Sequence, residues 1–272
     1  MASLDLSRAW NSAATMLKAN REVVLVVSGV FFFLPLTGLF LLLLGGDIAF
    51  AGPDGQSDPE RMGEMVSLFL ERYWWALLLV GIAQLVGAIA LIRILADPAR
   101  PSVGEAMASV PGLILPMIGV QLLSGLVIQS VAIVTGAIPG PVGATLSLVA
   151  LPLVLWLSAK FAIVSPAVVI DGNLNPIKAL TRSWTLTKGS SLRIVAFFAL
   201  LFIAGFILFA VMALVVGLVL ALVGSRGELI GMATFYGFGF ALIYTVAYAV
   251  IAAIHRQLVG TSVSVPPSGG AH

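Results

Sequence analysis

Apolar residues fall in long unbroken blocks along this chain, and polar residues are confined to the joints between them. The first charge-free block runs from Val23 to Gly46 and the second from Tyr73 to Ile92. A third, from Ala106 to Ala159, is too long for one crossing, because a helix spans the hydrocarbon core with about 20 apolar residues. The segment AIPGPVG at Ala137–Gly143 divides it, since Pro139 and Pro141 with Gly140 between them make a turn. Spans three and four are expected near Gly112–Thr135 and Ala144–Val164, and Ile194–Ser225 and Leu229–Ile254 supply the fifth and sixth. The fifth exceeds the minimum and is expected to tilt or to project past the bilayer. The pattern predicts an all-α polytopic membrane protein with six transmembrane helices.

The joints carry a second pattern. Asn175-Pro176 is a helix start, with an Asn cap and Pro at the first helical position. Ile177, Leu180 and Trp184 then share one face, Lys178, Arg182 and Lys188 lie away from it, and Gly189 is placed to end the helix. This predicts a short amphipathic helix in the membrane interface, apolar face toward the lipid and basic face toward anionic headgroups. The N-terminus repeats the design: Leu6, Trp10, Ala13 and Leu17 form the stripe, while Arg8, Asn11, Thr15 and Lys18 face elsewhere. Ser102–Val110, SVGEAMASV, is a weaker third copy. The chain thus reads as three hairpins of spans, each preceded by an interfacial helix, over about 4–96, 102–165 and 175–255. They form a single membrane domain, 1–259, with a disordered tail over 260–272.

Composition agrees. Charged residues make up 10% and hydrophobic ones 60%, against about 25% charged in soluble domains. The net charge of +2 matters less than its placement. Arg8, Lys18 and Arg21 precede the first span, Arg93 and Arg100 follow the second, five basic residues lie between Lys160 and Arg193, and Arg256 follows the sixth. The opposite connections hold only Arg61, Arg72 and Arg226. The positive-inside rule puts both termini in the cytoplasm, and the other face collects Asp47, Asp54, Asp58, Glu60, Glu64 and Glu71. Ala49-Phe50-Ala51 has the form of a signal cleavage site, but the apolar run before it is longer than a signal peptide's, so a retained span is expected. Ser57-Asp58-Pro59-Glu60 reads as a capped helix leading into the second span, and Tyr73, Trp74 and Trp75 as anchors at the outer interface.

The segment from Ser165 to Phe198 contains Pro166 in an apolar stretch, an Asp171-Gly172 turn, Ala179-Leu180, Ser183-Trp184 and Lys188-Gly189. In this order it resembles the glycerophosphodiester phosphodiesterase membrane-domain-like and YciC-like group of bacterial six-span membrane proteins. The resemblance implies the architecture and a bacterial inner-membrane location. It carries over no activity, since the catalytic barrel found after some of those membrane domains has no counterpart in this sequence.

Candidate chemistry is sparse. Cys is absent and the two histidines are His255 and His272, which leaves no thiolate and no His-rich metal site. No phosphate-cradling Gly-Lys motif and no paired intramembrane carboxylates occur. Neither a cofactor nor a metal is expected, and lipid headgroups suit the few basic residues better than nucleic acid does. Arg93 and Lys160 sit at span ends, where basic side chains snorkel, and Asp97 is placed to pair with Arg93 at i, i+4. Inside the spans, Gln84, Gln121 and Gln129 are the main polar candidates, with Gln121 and Gln129 eight apart. Such amides bind a neighbouring helix or a substrate. Small-residue pairs Ala83/Gly87 and Gly227/Gly231 suit close helix contact. The expected role is non-enzymatic, lipid-interacting or envelope-supporting, with Arg8, Trp10, Lys18, Lys178, Arg182, Trp184 and Lys188 as interface residues and a membrane protein as a further candidate partner. The alternative is a transporter or permease subunit for a lipid, peptide or other amphipathic solute, suggested by the three-unit repeat and the Gln121/Gln129 stripe.

Overall fold

A computed structural model describes residues 4–45, 59–97 and 101–263, the side chains of 59–62 and 261–263 excepted. It is 89% helical, without strands among the described residues. The helices are α1 (Leu6–Ala19), α2 (Arg21–Ser28), a π-helical turn (Gly29–Phe33), α3 (Leu34–Gly45), α4 (Pro59–Ala96), α5 (Val103–Gly136), α6 (Gly140–Phe161), α7 (Val164–Val169), α8 (Pro176–Leu186), α9 (Ser191–Leu220) and α10 (Ser225–Val263). Among the described residues, six segments are long and apolar enough to cross a membrane: Arg21–Gly45, Gly63–Ala96, Val103–Gly136, Gly140–Val169, Ser191–Leu220 and Ser225–Gly260. The protein is an all-α polytopic membrane protein. α9 makes the physical case plainly, with a mean hydropathy of 3.0 over a window that stays almost wholly exposed. Water could not solvate such a surface, and lipid can.

The chain divides into two compact units. One comprises Met1–Val23, Ala88–Ile203 and Val246–His272, the other Val24–Gly87 and Ala204–Thr245. Neither coincides with one of the three consecutive hairpins.

The second unit is packed by aromatic rings. Phe32 is fully buried against Tyr244 at 5.9 Å, and Phe40 meets Tyr236 at 5.4 Å and Phe240 at 5.5 Å. Such pairs contribute about 0.5–1.5 kcal/mol each beyond their buried area. Gly87 permits a close approach here: a Cβ on it would lie 2.7 Å from Phe31 Cβ. The π turn just before Pro35 accommodates the missing proline N–H within the first span, Leu34 N donating to Gly29 O. α4 bends at Tyr73 (φ −118°, ψ 17°), where the leading helix hands over to the second span. Trp74 and Trp75 are exposed beside the bend, and Tyr73 packs on Phe69 at 5.0 Å. Ser57 and Asp58, the expected cap of this helix, lie outside the described residues.

The first unit holds the surface helices. α1 and α8 are distinct elements, as their periodicity predicts. The chain leaves helical geometry at Asn20 (φ −115°, ψ 22°) after α1, and turns at Gly189 (φ +84°) after α8. Only a residue without a Cβ adopts the latter without strain. The middle copy differs. Ser102 and Glu105 form a capping box, Ser102 N donating to Glu105 Oε2 at 2.7 Å, and α5 then runs unbroken to Gly136 through Pro111 and Pro116. Ser102–Val110 is therefore the first part of the third span and no separate interfacial helix. No residue there supplies the break that Asn20 and Gly189 supply elsewhere. α10 continues to Val263, into the segment expected as a tail.

Candidate functional site

The connection from α6 to α9 builds the most elaborate polar region of the first unit. After a break at Ile163 (φ −106°, ψ 18°), α7 buries Val164, Pro166, Ala167, Val168 and Val169 together. A turn with Gly172 at φ +70° then brings Asp171 back toward α8. Asn175 caps α8 through its side chain, accepting from Ile177 N at 2.9 Å and Lys178 N at 3.3 Å, with Pro176 at the first helical position.

α8 has three faces rather than two. The face toward the protein carries Ala179, Ser183 and Thr187, all fully buried. Ser183 Oγ donates to Lys160 O at 2.7 Å, tying α8 to α6. The apolar residues lie on a second face: Ile177 is exposed, Leu180 half-buried, and Trp184 39% exposed. Lys178 lies on the third face and Lys188 just past the end of the helix; both are exposed, and neither makes an ion pair among the described residues.

Arg182 departs from the expected headgroup role. Its Nε donates to Asp171 Oδ2 at 2.9 Å, and its side chain is 38% exposed against 16% for Asp171. The other oxygen, Oδ1, lies 3.1 Å from Nε2 of His255, whose side chain is only 3% exposed. Neither imidazole nitrogen has an aligned hydrogen-bond partner among the described residues, so the His255–Asp171 contact is one of proximity. Asp171 thus ties α8 to the turn before it and lies beside His255 of α10. Lys160 also departs from its expected snorkelling position. It is 5% exposed, with Nζ 5.4 Å from the Trp156 ring and 5.0 Å from the Trp184 ring, because α8 lays Trp184 over it. Arg93 does pair with Asp97, at 2.9 Å.

α1 follows the same plan. Asp5 caps it, accepting from Arg8 N at 3.0 Å, and it buries Ala9, Ala13 and Met16. Arg8 and Lys18 are exposed and Trp10 is 43% exposed, beside an apolar groove of about 570 Å³ formed with Phe197 and Leu200 of α9. The end of α10 clips α1 in place. Arg256 Nη1 donates to Met16 Sδ at 3.3 Å, and the Gln257 amide, oriented to satisfy both bonds, pairs with Asp5 N (2.9 Å) and Asp5 O (3.1 Å). Arg256 and Gln257 therefore hold α1, while the adjacent His255 lies against the Asp171 turn that holds α8.

Gln84 is half-buried in α4, whereas Gln121 and Gln129 are exposed on α5.

Sequence periodicity misses two features. One is the Asp171–Arg182–His255 cluster, whose only local signal is the Asp-Gly turn. The other is the register between the copies: Leu6-Ser7-Arg8-Ala9-Trp10 in α1 matches Leu180-Thr181-Arg182-Ser183-Trp184 in α8. In that register the buried Ala9 and Ala13 coincide with the buried Ser183 and Thr187, and the exposed tryptophans coincide. No protein-family model, curated protein or solved structure matches this chain.

Proposed function

We propose that this is a non-enzymatic membrane protein that engages anionic lipids through α1 and α8, the basic connections facing the cytoplasm of a bacterial cell. The observation that carries the reading is the shared three-faced design. Each helix is fixed to the protein by a stripe of small residues and leaves a tryptophan exposed among basic side chains: Trp10 with Arg8 and Lys18, Trp184 with Lys178 and Lys188. A tryptophan so exposed suits the headgroup level, and the lysines beside it suit anionic lipid. The basic-residue asymmetry and the resemblance to the YciC-like group support the orientation and the inner-membrane location. Gln121 and Gln129 face outward and line none of the clefts described, so transport gains no support from them.

Single-tryptophan variants test this. In vesicles containing phosphatidylglycerol, Trp10 and Trp184 should both be quenched by lipid brominated near the top of its acyl chains. Replacing Lys18, Lys178 and Lys188 with Ala should reduce the phosphatidylglycerol retained through purification. Two unquenched tryptophans would overturn the reading.

A further inference from the structure

On the flank of α1 opposite the Trp10 groove lies a second cleft, of about 660 Å³, between α1 and the ends of α4 and α10. Its polar wall is Arg8, Asn11, Thr15, Asn20 and Arg256, and Met16, Ile94 and Leu95 form an apolar floor. The charge balance is unusual. Asp97 also lines the cleft, but its carboxylate is held by Arg93 at 2.9 Å. The Arg8 guanidinium has no carboxylate partner among the described residues, and that of Arg256 meets only the Met16 thioether, at 3.3 Å. A thioether sulfur is a weak acceptor and leaves the guanidinium's donors largely unused. Asn20, also in the wall, directs its Nδ2 to Met16 O at 2.8 Å. Two planar cations therefore line a cavity whose carboxylate, Asp97, is already paired with Arg93.

We propose that this cleft binds a phosphate ester, Arg8 and Arg256 holding the phosphate oxygens and the apolar floor meeting the organic part. Guanidinium matches phosphate in charge and in planar, bidentate donor geometry. The volume is far larger than a simple ion needs, so an ester fits better than a lone halide. This deepens the lipid reading and rests on it for the setting: a phosphodiester headgroup at the membrane surface is one source of the chemistry, a soluble phosphate ester the other.

The test uses the full-length chain in a neutral detergent, with native mass spectrometry and thermal melting as readouts. The probes are dioleoylphosphatidylglycerol, glycerol 3-phosphate and inorganic phosphate, with dioleoylphosphatidylcholine and glycerol as references. Binding of phosphatidylglycerol alone supports the proposal with a lipid headgroup as source; binding of glycerol 3-phosphate supports it with a soluble ester. Arg8→Gln and Arg256→Gln should each weaken that binding by about tenfold, the loss expected for one charge-assisted contact. Arg8 is exposed and its guanidinium has no ion pair among the described residues, so Arg8→Gln alone keeps the test valid if the Arg256 variant folds poorly. Absence of binding by both esters overturns the proposal, as does binding that survives the double variant. Those failures are separable from failure of the lipid-surface reading, which would show as unquenched Trp10 and Trp184.

Discussion

Replacing Asp171 with Ala removes a carboxylate that two basic side chains share. It breaks the hydrogen bond from Arg182 Nε to Oδ2 at 2.9 Å and removes Oδ1 from its place 3.1 Å from His255 Nε2. A hydrogen bond to a charged group contributes about 1.5–3 kcal/mol, but Arg182 is more than one-third exposed and regains water, which places its share near or below the lower end. The imidazole, buried and without an aligned partner, adds a smaller electrostatic loss. Together these come to about 2 kcal/mol, equivalent to about 4–8 °C in melting temperature for a chain of this size. Asp171→Asn, which keeps one acceptor oxygen, should lose roughly half as much. The assay is thermal unfolding of purified protein in one detergent at fixed lipid content, followed by far-UV circular dichroism. A double-mutant cycle with Arg182→Gln should return a coupling of about 1 kcal/mol, as expected for side chains in direct contact. A melting temperature unchanged in Asp171→Ala, or a coupling of zero, would refute the view that this carboxylate holds α8 in place.

Other perturbations test the placement of α8 and the outward face of α5. Asn175→Ala removes the side-chain cap that receives Ile177 N and Lys178 N, and should cost about 1 kcal/mol, read as a lower melting temperature with increased amide exchange in the first turn of α8. Gly119→Leu should be worse, since even a Cβ there would lie 2.7 Å from Pro176 Cγ; about 1–3 kcal/mol is expected from overpacking. Gly112→Leu, with nothing within 4 Å of the new Cβ, is the matched control and should melt with the wild type. The double variant Gln121→Leu and Gln129→Leu should change the melting temperature little, within about 0.5 kcal/mol, because both amides are exposed. A marked destabilisation would show that they have partners.

The spans are legible in the sequence because lipid imposes a coarse and unambiguous pattern, long apolar blocks with charge expelled to the joints. The turn at Ala137–Gly143 and the Asn175-Pro176 cap are legible for a similar reason, since Pro, Gly and Asn have strong local preferences. The rotation of α8 is not. Amphipathicity separates Ile177, Leu180 and Trp184 from the basic residues, but the protein fully buries neither set, although Trp184 packs on Trp156 and Phe161. It docks on Ala179, Ser183 and Thr187, which are small enough for close approach and stand out as neither strongly apolar nor charged. The role of Arg182 is hidden for the same reason: its partner Asp171 comes from a turn, and His255 from the far end of the chain. The middle copy shows the opposite limit, because periodicity marks a helix without saying whether it stops before the next one.

The register between α1 and α8 gives Arg8 and Arg182 the same position in two copies of one helix, each two residues before an exposed tryptophan and next to a buried small residue. Their surroundings have diverged. Arg182 is held by Asp171 at 2.9 Å, whereas Arg8 lines an open cleft and has no carboxylate partner among the described residues. A charge committed to the fold and a charge left available should respond differently to the same substitution. Arg182→Gln should lower stability by about 1–2 kcal/mol, because it strips a partly buried carboxylate of its cation. Arg8→Gln should change stability by no more than about 0.5 kcal/mol, as for a surface substitution with no partner. Melting both variants in the same detergent, with lipid removed, makes the comparison direct. Equal losses would mean that Arg8 also serves the fold, and a cleft whose cations are structural would have no charge to offer a ligand. The ordering therefore tests more than two side chains: it asks whether one copy of the helix has kept for binding the cation that the other uses for folding.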